Sequence, residues 1–414
     1  MSEVRPFRAV RPAPERAKEV AAPPYDVMTS AEARVMAEGN PWSFLRVDKA
    51  EIDIDPAINI YDPLVYETAR KNLDNMLAQG VTIQDAKPMY YIYRLTMGDI
   101  SQSGIVACAS IDEYIGGTIK KHELTREEKE QDRIRHVDVC DANTGPIFLA
   151  YKASEAMNRA VEAWKAAHAP VYDFVADDGI GHTVWTVDDD AAISEIHEIF
   201  NKIDCLYIAD GHHRNASAVK VGLKRREAMP GYSPDAEFNY YLSVLFPHDQ
   251  LYIMDYNRIV KGLNGLTEEE FFAKLGEKFE LEEIGAKPYK PERLHTFGMY
   301  LSGKWYKLSA KPEIVPGDVV GALDVSVLQN NVLRPLLGID DPRKSHYIDF
   351  VGGMRGLKEL SDRVDSGEMR VAFALFPTSM EELMAIADSG EIMPPKSTWF
   401  EPKLRSGLFV HKLS

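Results

Sequence analysis

Apolar positions along the chain fall into short runs, each with the period of one kind of element. Met89-Tyr90-Tyr91-Ile92-Tyr93-Arg94-Leu95 is rich in aromatic and β-branched residues and predicts a strand. Ser103 to Ile111 predicts its hairpin partner, because Gly98-Asp99-Ile100 is turn-like and the following residues are small and apolar. Ahead of this pair, Val65 to Gln79 reads as a helix. After Gly145-Pro146, the run Ile147-Phe148-Leu149-Ala150-Tyr151 predicts a buried strand, Ala153 to His168 an amphipathic helix, and Thr183 to Val187 a further strand. Cys205-Leu206-Tyr207-Ile208-Ala209 is a continuous apolar run of strand length, followed by a helical pattern with Ala216, Val219 and Leu223 on one face. From about Thr267, helices such as Glu268 to Phe279 alternate with strands such as Gly298 to Leu301 and Met369 to Leu375. Glu123 to Arg135 departs from these patterns: it is almost wholly charged, so a helix there would expose most of its surface.

Mixed elements throughout predict an α/β (α+β mixed) architecture. A chain of 414 residues is too long for one ordinary core, and three parts are expected: 1–112, 113–262 and 263–414. No repeat or low-complexity linker separates them. Met1 to Val10 lacks an apolar leader, and no run approaches the roughly 18 apolar residues of a membrane span, so a cytoplasmic protein is expected. The net charge of −16 argues against nucleic acid or an anionic membrane as partner, while leaving room for a locally basic pocket. Cys108, Cys140 and Cys205 have no metal or redox spacing and read as apolar thiols. A homodimer is the base-rate expectation.

Chemistry concentrates in Asp210-Gly211-His212-His213-Arg214-Asn215, between the strand at 206–209 and its helix. A helix that begins directly after a buried strand presents unpaired amides and the positive end of its dipole, a natural seat for anions. Gly211 permits close approach to the backbone, and His212, His213 and Arg214 add donors suited to phosphate oxygens. Asp210 is suited to holding a metal ion, orienting a histidine or capping the helix. Two adjacent histidines, an arginine and an aspartate at one strand end have little packing purpose.

A second group is Lys120-Lys121-His122-Glu123. The third position after Glu123 is Arg126, so the zinc-protease pattern H-E-x-x-H is absent. Glu123 could instead serve as a general base, with His122 beside it and Lys121 supplying charge for a phosphorylated substrate. Between the two groups lie Arg133 and His136, then Asn143, Thr144 and Gly145 at a strand entrance suited to lining a pocket. The Gly352-Gly353 turn and Pro394 to Phe400 read as turns and packing.

Arg5-Pro6-Phe7-Arg8-Ala9, Pro24-Tyr25-Asp26-Val27, the 120–146 block, Ile208 to Asn215 and Phe246-Pro247-His248 together resemble the domain-of-unknown-function family numbered 1015 over nearly the whole chain. That resemblance implies a cytoplasmic protein connected with serine biosynthesis. The middle third also resembles the free-serine kinases of the ParB/sulfiredoxin-type fold, through His122-Glu123, Gly145-Pro146-Ile147 and Ala209-Asp210-Gly211-His212-His213-Arg214. This likeness implies a ParB/sulfiredoxin-like kinase core with additional N- and C-terminal α/β parts. It also implies Glu123 as base on a serine hydroxyl, and Gly211, His212, His213 and Arg214 as phosphate ligands. Here the segment between Ile147 and Leu206 is longer than in those kinases.

The expected activity is phosphotransfer on free L-serine or from O-phosphoserine, in either direction, assisted by Mg²⁺. Catalysis is expected from Glu123, His122 and Asp210, phosphate or nucleotide binding from Gly211, His212, His213, Arg214, Asn215, Asn143, Thr144 and Gly145, and substrate binding from Lys121, Arg133 and His136. Without a P-loop motif, ATP, ADP and pyrophosphate all stand as donor or acceptor. The rivals are a nucleotide-binding conformational switch without catalysis and a metal-dependent phosphoester hydrolase using Asp210, His212 and His213.

Overall fold

The computed structural model describes residues 2–125 and 127–414; Met1 and Arg126, which the sequence reading cites, lie outside the described residues. Two compact units are present, one formed by 1–251 with 402–414 and the other by 252–401.

The first unit is built on a nine-stranded mixed sheet. From one edge its strands run Ile119–Lys120, Leu206–Asp210, Ile147–Tyr151, Tyr240–Pro247, Ile100–Ser110, Tyr90–Met97, Gly181–Val187 and Tyr172–Val175, and Val4–Arg5 adds to Ile100–Ser110. The hairpin expected around Gly98 is present, with Tyr91 opposite Val106 and Met97 opposite Ile100. Tyr90 to Tyr93 are all buried, as are Ile147 to Tyr151 and Tyr240 to Pro247. Strands covered on both faces lose the alternation of a half-exposed sheet, which explains their continuous apolar runs. One core joins Leu149, Leu206 and Ile208 to Met157 and Val161 of the helix Glu155–Ala167 and to Ile199 and Phe200 of Asp190–Phe200. A second gathers Val65, Ala69, Leu73 and Met76 of the helix Pro63–Ala78 against Val20, Phe44 and Leu45.

The boundary expected at 112/113 does not separate compact units. Ile100–Ser110 pairs with Tyr240–Pro247 from Ile105↔Leu245 to Ser110↔Tyr240, so segments more than a hundred residues apart form one sheet. The long segment between Ile147 and Leu206 leaves the pairing at the motifs intact, because its strands Tyr172–Val175 and Gly181–Val187 extend the opposite edge.

In the helix Glu127–Cys140 the stretch to Arg135 is mostly exposed, as expected, apart from Glu130 and Arg133, and burial increases beyond it. Glu130, Arg133, His136, Val137 and Cys140 recur at helical spacing and are buried. Their stripe is mostly polar, so hydrophobic periodicity does not reveal it. In the helix His212–Ala228, Ala216 and Val219 are buried as expected, whereas Leu223 is exposed.

The second unit holds a six-stranded antiparallel sheet in the order Phe279–Gly285, Lys304–Ala310, Thr296–Leu301, Val371–Leu375, Tyr256–Val260, Ile348–Gly352. Ile259, Trp305, Leu360 and Ala372 share its core. The helix Glu268–Lys278 opens with a capping box between Thr267 and Glu270. Packing accounts for Gly352-Gly353: a Cβ on Gly352 would lie 3.0 Å from the Trp399 ring, and one on Gly353 would lie 2.6 Å from Asp255 Oδ1. Among the described residues no helix is long and apolar enough to cross a membrane.

Candidate functional site

The two motifs meet because Ile119–Lys120 and Leu206–Asp210 are adjacent parallel strands, paired Ile119↔Leu206 and Lys120↔Tyr207. Parallel neighbours end on the same side, so His122-Glu123 and Asp210-Gly211-His212 emerge together from their C-terminal ends, where ligands of such sheets bind. Across the other edge of Leu206–Asp210 the register skips Ala209: Ile208 faces Leu149 and Asp210 faces Phe148. A bulge of this kind redirects the end of a strand, here the one carrying Asp210.

Gly211 sits at φ +89° and starts the seventeen-residue helix His212–Ala228 with no side-chain cap. The first-turn amides are therefore not taken by a capping side chain, and they carry the positive end of the helix dipole. A side chain at 211 would be strained by this backbone conformation and would place its Cβ 3.2 Å from Arg214 Nε.

Asp210 does not cap the helix in the usual way. Its Oδ1 accepts the Gly211 amide at 2.7 Å, and its Oδ2 is 2.7 Å from Lys403 Nζ. Burial favours its neutral form, but Lys403 and Arg214 outweigh burial and hold the carboxyl well below the usual range. Arg214 donates from Nη1 to the Pro146 carbonyl at 2.6 Å and lies 3.9 Å from Asp26. It thus spans from the helix start to the entrance of Ile147–Tyr151.

His122 and His212 are 2% and 6% exposed and pack edge to face, ring centroids 4.5 Å apart. Burial depresses both imidazoles: His122 falls to about 4 despite the nearby Asp210 charge, and His212 falls well below its ordinary value. Both are therefore neutral at pH 7. His122 Nδ1 and His212 Nε2 are buried without a hydrogen-bond partner. Glu123 is more exposed, with Oε2 3.8 Å from His212 Nδ1. One donor atom each from His122, Glu123 and His212 lies within 4.8 Å of the others, a set that could draw in around a metal ion. Two neutral imidazoles and one carboxylate suit zinc or a similar transition ion better than Mg²⁺, which prefers oxygen ligands. The Asp210, His212, His213 set expected from sequence is not the one assembled, because the Asp210 carboxylate is engaged by Lys403 and the Gly211 amide.

The remaining expected residues divide. His213 is half-buried and Lys121 exposed at the same sheet edge. Asn215 is fully buried and donates to Tyr241 Oη, leaving Oδ1 buried without a partner. Arg133, His136, Asn143, Thr144 and Gly145 line, with Arg214, a cavity of about 20 Å³, room for little more than one water. Arg133 pairs with Asp132 at 2.7 Å and covers the Tyr25 ring, and His136 bonds the Val47 carbonyl. Thr144 donates to Asp48 at 2.6 Å, while Asn143 accepts the Leu242 amide and contacts His411. These side chains share the small cavity with Arg214, and Arg133, His136, Asn143 and Thr144 each hold a partner within the protein.

Lys403 and Asp26 complete the site and were not singled out as site residues from sequence. Lys403 is 193 positions from its partner and arrives on the C-terminal return into the first unit. Asp26 lies within Pro24-Tyr25-Asp26-Val27, one of the segments carrying the family resemblance.

A family model described as a protein of unknown function, DUF1015, matches residues 4–326. The chain belongs to the DUF1015 family. No curated protein matches the chain by sequence. Among solved structures, this family member is similar to a conserved hypothetical protein from Pyrococcus furiosus at 18% identity and TM-score 0.36, covering 74% of this chain and 95% of the other. It is similar to a free serine kinase variant in complex with AMP at 16% identity and TM-score 0.37, over 78% and 93% of the two chains. SbnI with a C-terminal truncation from Staphylococcus aureus matches at 12% identity and TM-score 0.38, over 74% and 86%. At these distances the chemistry has to be read from the site itself.

Proposed function

We propose that this DUF1015 protein is a phosphotransferase acting on free L-serine or O-phosphoserine, with a nucleotide or pyrophosphate as the other phosphate carrier. The observation that carries the reading is the placement of the Glu123 carboxylate 3.8 Å from His212 Nδ1 at the side-chain-uncapped start of His212–Ala228, with Arg214 one turn along. An exposed carboxylate beside an anion-binding helix start provides the two functions the reaction needs, a base for a hydroxyl and a seat for phosphate. In the forward direction Glu123 accepts the serine hydroxyl proton as its oxygen bonds to the terminal phosphorus. The bond from phosphorus to the donor's bridging oxygen breaks, and that oxygen leaves with the electron pair. The amides at 212–214, His213 and the Arg214 guanidinium steady the charge on the transferring group. Mg²⁺, when present, would be carried on the oxygens of the donor phosphates.

Phosphorus NMR of the purified protein with Mg²⁺ and O-phospho-L-serine, in separate tubes with AMP, ADP, inorganic phosphate or water, tests this reading. Loss of the phosphoserine signal with a new phosphorylated product identifies the acceptor. Silence in every tube, and in the reverse reactions from L-serine, removes the assignment.

The His122, Glu123, His212 donor set favours a second reading, metal-dependent phosphoester hydrolysis. Phosphoserine loss in the water tube alone, dependent on a stoichiometric transition metal and abolished by chelation, would select it.

A further inference from the structure

A cavity of about 530 Å³ in the second unit is lined entirely by that unit's own residues and falls within the usual size range of small-molecule sites. Arg258 forms part of its wall and is 4% exposed. Its guanidinium donates to the carbonyls of Tyr256 and Lys396, the latter at 2.9 Å, and lies 5.4 Å from the Phe350 ring centroid. Among the described residues no carboxylate pairs with it. Burial without an acid pushes its pKa down to about 10, whereas the buried Arg11 of the first unit, which has Asp85 at 2.8 Å, is raised. A buried guanidinium lacking a counter-charge is costly, and a fold that retains one beside an open cavity has a place for an anion there.

The rest of the wall supports an oxyanion. Ser326 Oγ is buried without a partner, and Asn330 lines the cavity from a π-helical turn, Gln329–Leu333, beside Gln329, whose Nε2 donates to the Ile339 carbonyl at 2.7 Å. Arg334 adds an exposed cation, while Asp341 on the same wall is bound by Arg343 at 3.0 Å. Asp340, the other acidic residue of the wall, is exposed, whereas Arg258 is buried. With Arg258, Arg334 and Arg343 set against Asp340 and Asp341, the charge and donors of the wall favour an anion.

We propose that this cavity is a binding site for a small metabolite bearing a phosphate or carboxylate group, anchored by Arg258 and Ser326 and separate from the site at Asp210–Arg214. It does not depend on the phosphotransferase reading.

Hydrogen-exchange mass spectrometry of the full chain, with 10 mM inorganic phosphate in one arm and citrate in the other, locates binding by segment. Slower exchange across 324–334 with phosphate, citrate or both is expected in the wild type, and the arm that responds tells which oxyanion is taken. Arg258→Met is expected to abolish this protection. The exposed Arg334→Ala, a substitution that leaves the buried core alone, is expected to raise the half-protecting concentration at least about threefold. No protection from either anion, or undiminished protection in both variants, overturns the assignment. Changes confined to 208–216 would report the first site and count against this one.

Discussion

Glu123 and Lys403 act on the site in different ways, and substitutions separate them. Replacing Glu123 by Gln keeps the shape but removes the base, so turnover is expected to fall by about 10²–10⁴-fold with nucleotide affinity little changed. Single-turnover kinetics alongside equilibrium nucleotide titration checks this; equal loss of affinity and rate would mean that Glu123 binds rather than abstracts. Lys403→Met leaves the Asp210 carboxylate with Arg214 and the Gly211 amide alone. The pair is partly exposed, so the cost is expected near 2 kcal/mol, below that of a fully buried pair. Asp210→Asn combined with Lys403→Met should cost less than the two single changes added together, and a double-mutant cycle by denaturant unfolding measures the difference. Strict additivity would mean that the pair contributes nothing as a pair.

At the scale of elements, the site depends on how a strand becomes a helix. Gly211→Ala forces an L-residue to φ +89° and brings its Cβ to 3.2 Å from Arg214 Nε. A loss of about 1–2 kcal/mol is expected from the backbone alone, with phosphate binding weakened further as Arg214 is displaced. Phosphate titration of the variant tests the second part, since an unaltered affinity would mean that Arg214 does not hold the anion. The helix Glu127–Cys140 shows why the burial of its polar stripe is not legible in the sequence. Its buried stripe of Glu130, Arg133, His136, Val137 and Cys140 has the right period but mostly the wrong polarity for a hydrophobic-pattern argument. Buried polar groups are tolerated only where partners meet them, and those partners, the Tyr25 ring, the Val47 carbonyl and Lys220 among them, are placed by the fold.

At the scale of the whole molecule, the two compact units are expected to respond to pH in opposite senses. In the first unit His182 is fully buried between Tyr93 Oη at 2.8 Å and Arg405 Nε at 3.2 Å. Burial and the Arg405 charge depress it to about 3. A histidine depressed in the folded state binds fewer protons folded than unfolded, so its contribution is present above pH 6.5 and is lost as pH falls toward 3. The full effect is on the order of 4 kcal/mol, and His182→Gln should flatten it. In the second unit burial raises the Asp324 carboxyl to about 7. Its stabilisation is present below about pH 4 and is lost as pH rises through 7, by on the order of 4 kcal/mol. Asp324→Asn, which keeps an acceptor for the His295 amide at 2.8 Å, should remove that loss. Unfolding followed by segment-resolved hydrogen exchange between pH 4 and 8 checks both signs.

The chain's own order determined what local chemistry can determine. The apolar runs at 89–95, 147–151 and 205–209 became strands because a sheet covered on both faces selects continuous hydrophobicity. Asp210 to Arg214 was legible as a site because such residues at a strand end have little packing use. That His122-Glu123 stands beside it follows from parallel pairing of Ile119–Lys120 with Leu206–Asp210, a contact between segments 87 residues apart, Ile119 to Leu206. The same limit conceals Lys403, the engagement of Arg133, His136, Asn143 and Thr144, and the two-unit division in which 402–414 rejoins the first unit. Periodicity and propensity act over a few residues. Strand pairing and the matching of buried charges act across the whole chain, so only the tertiary structure decided which polar residues face a ligand and which face one another.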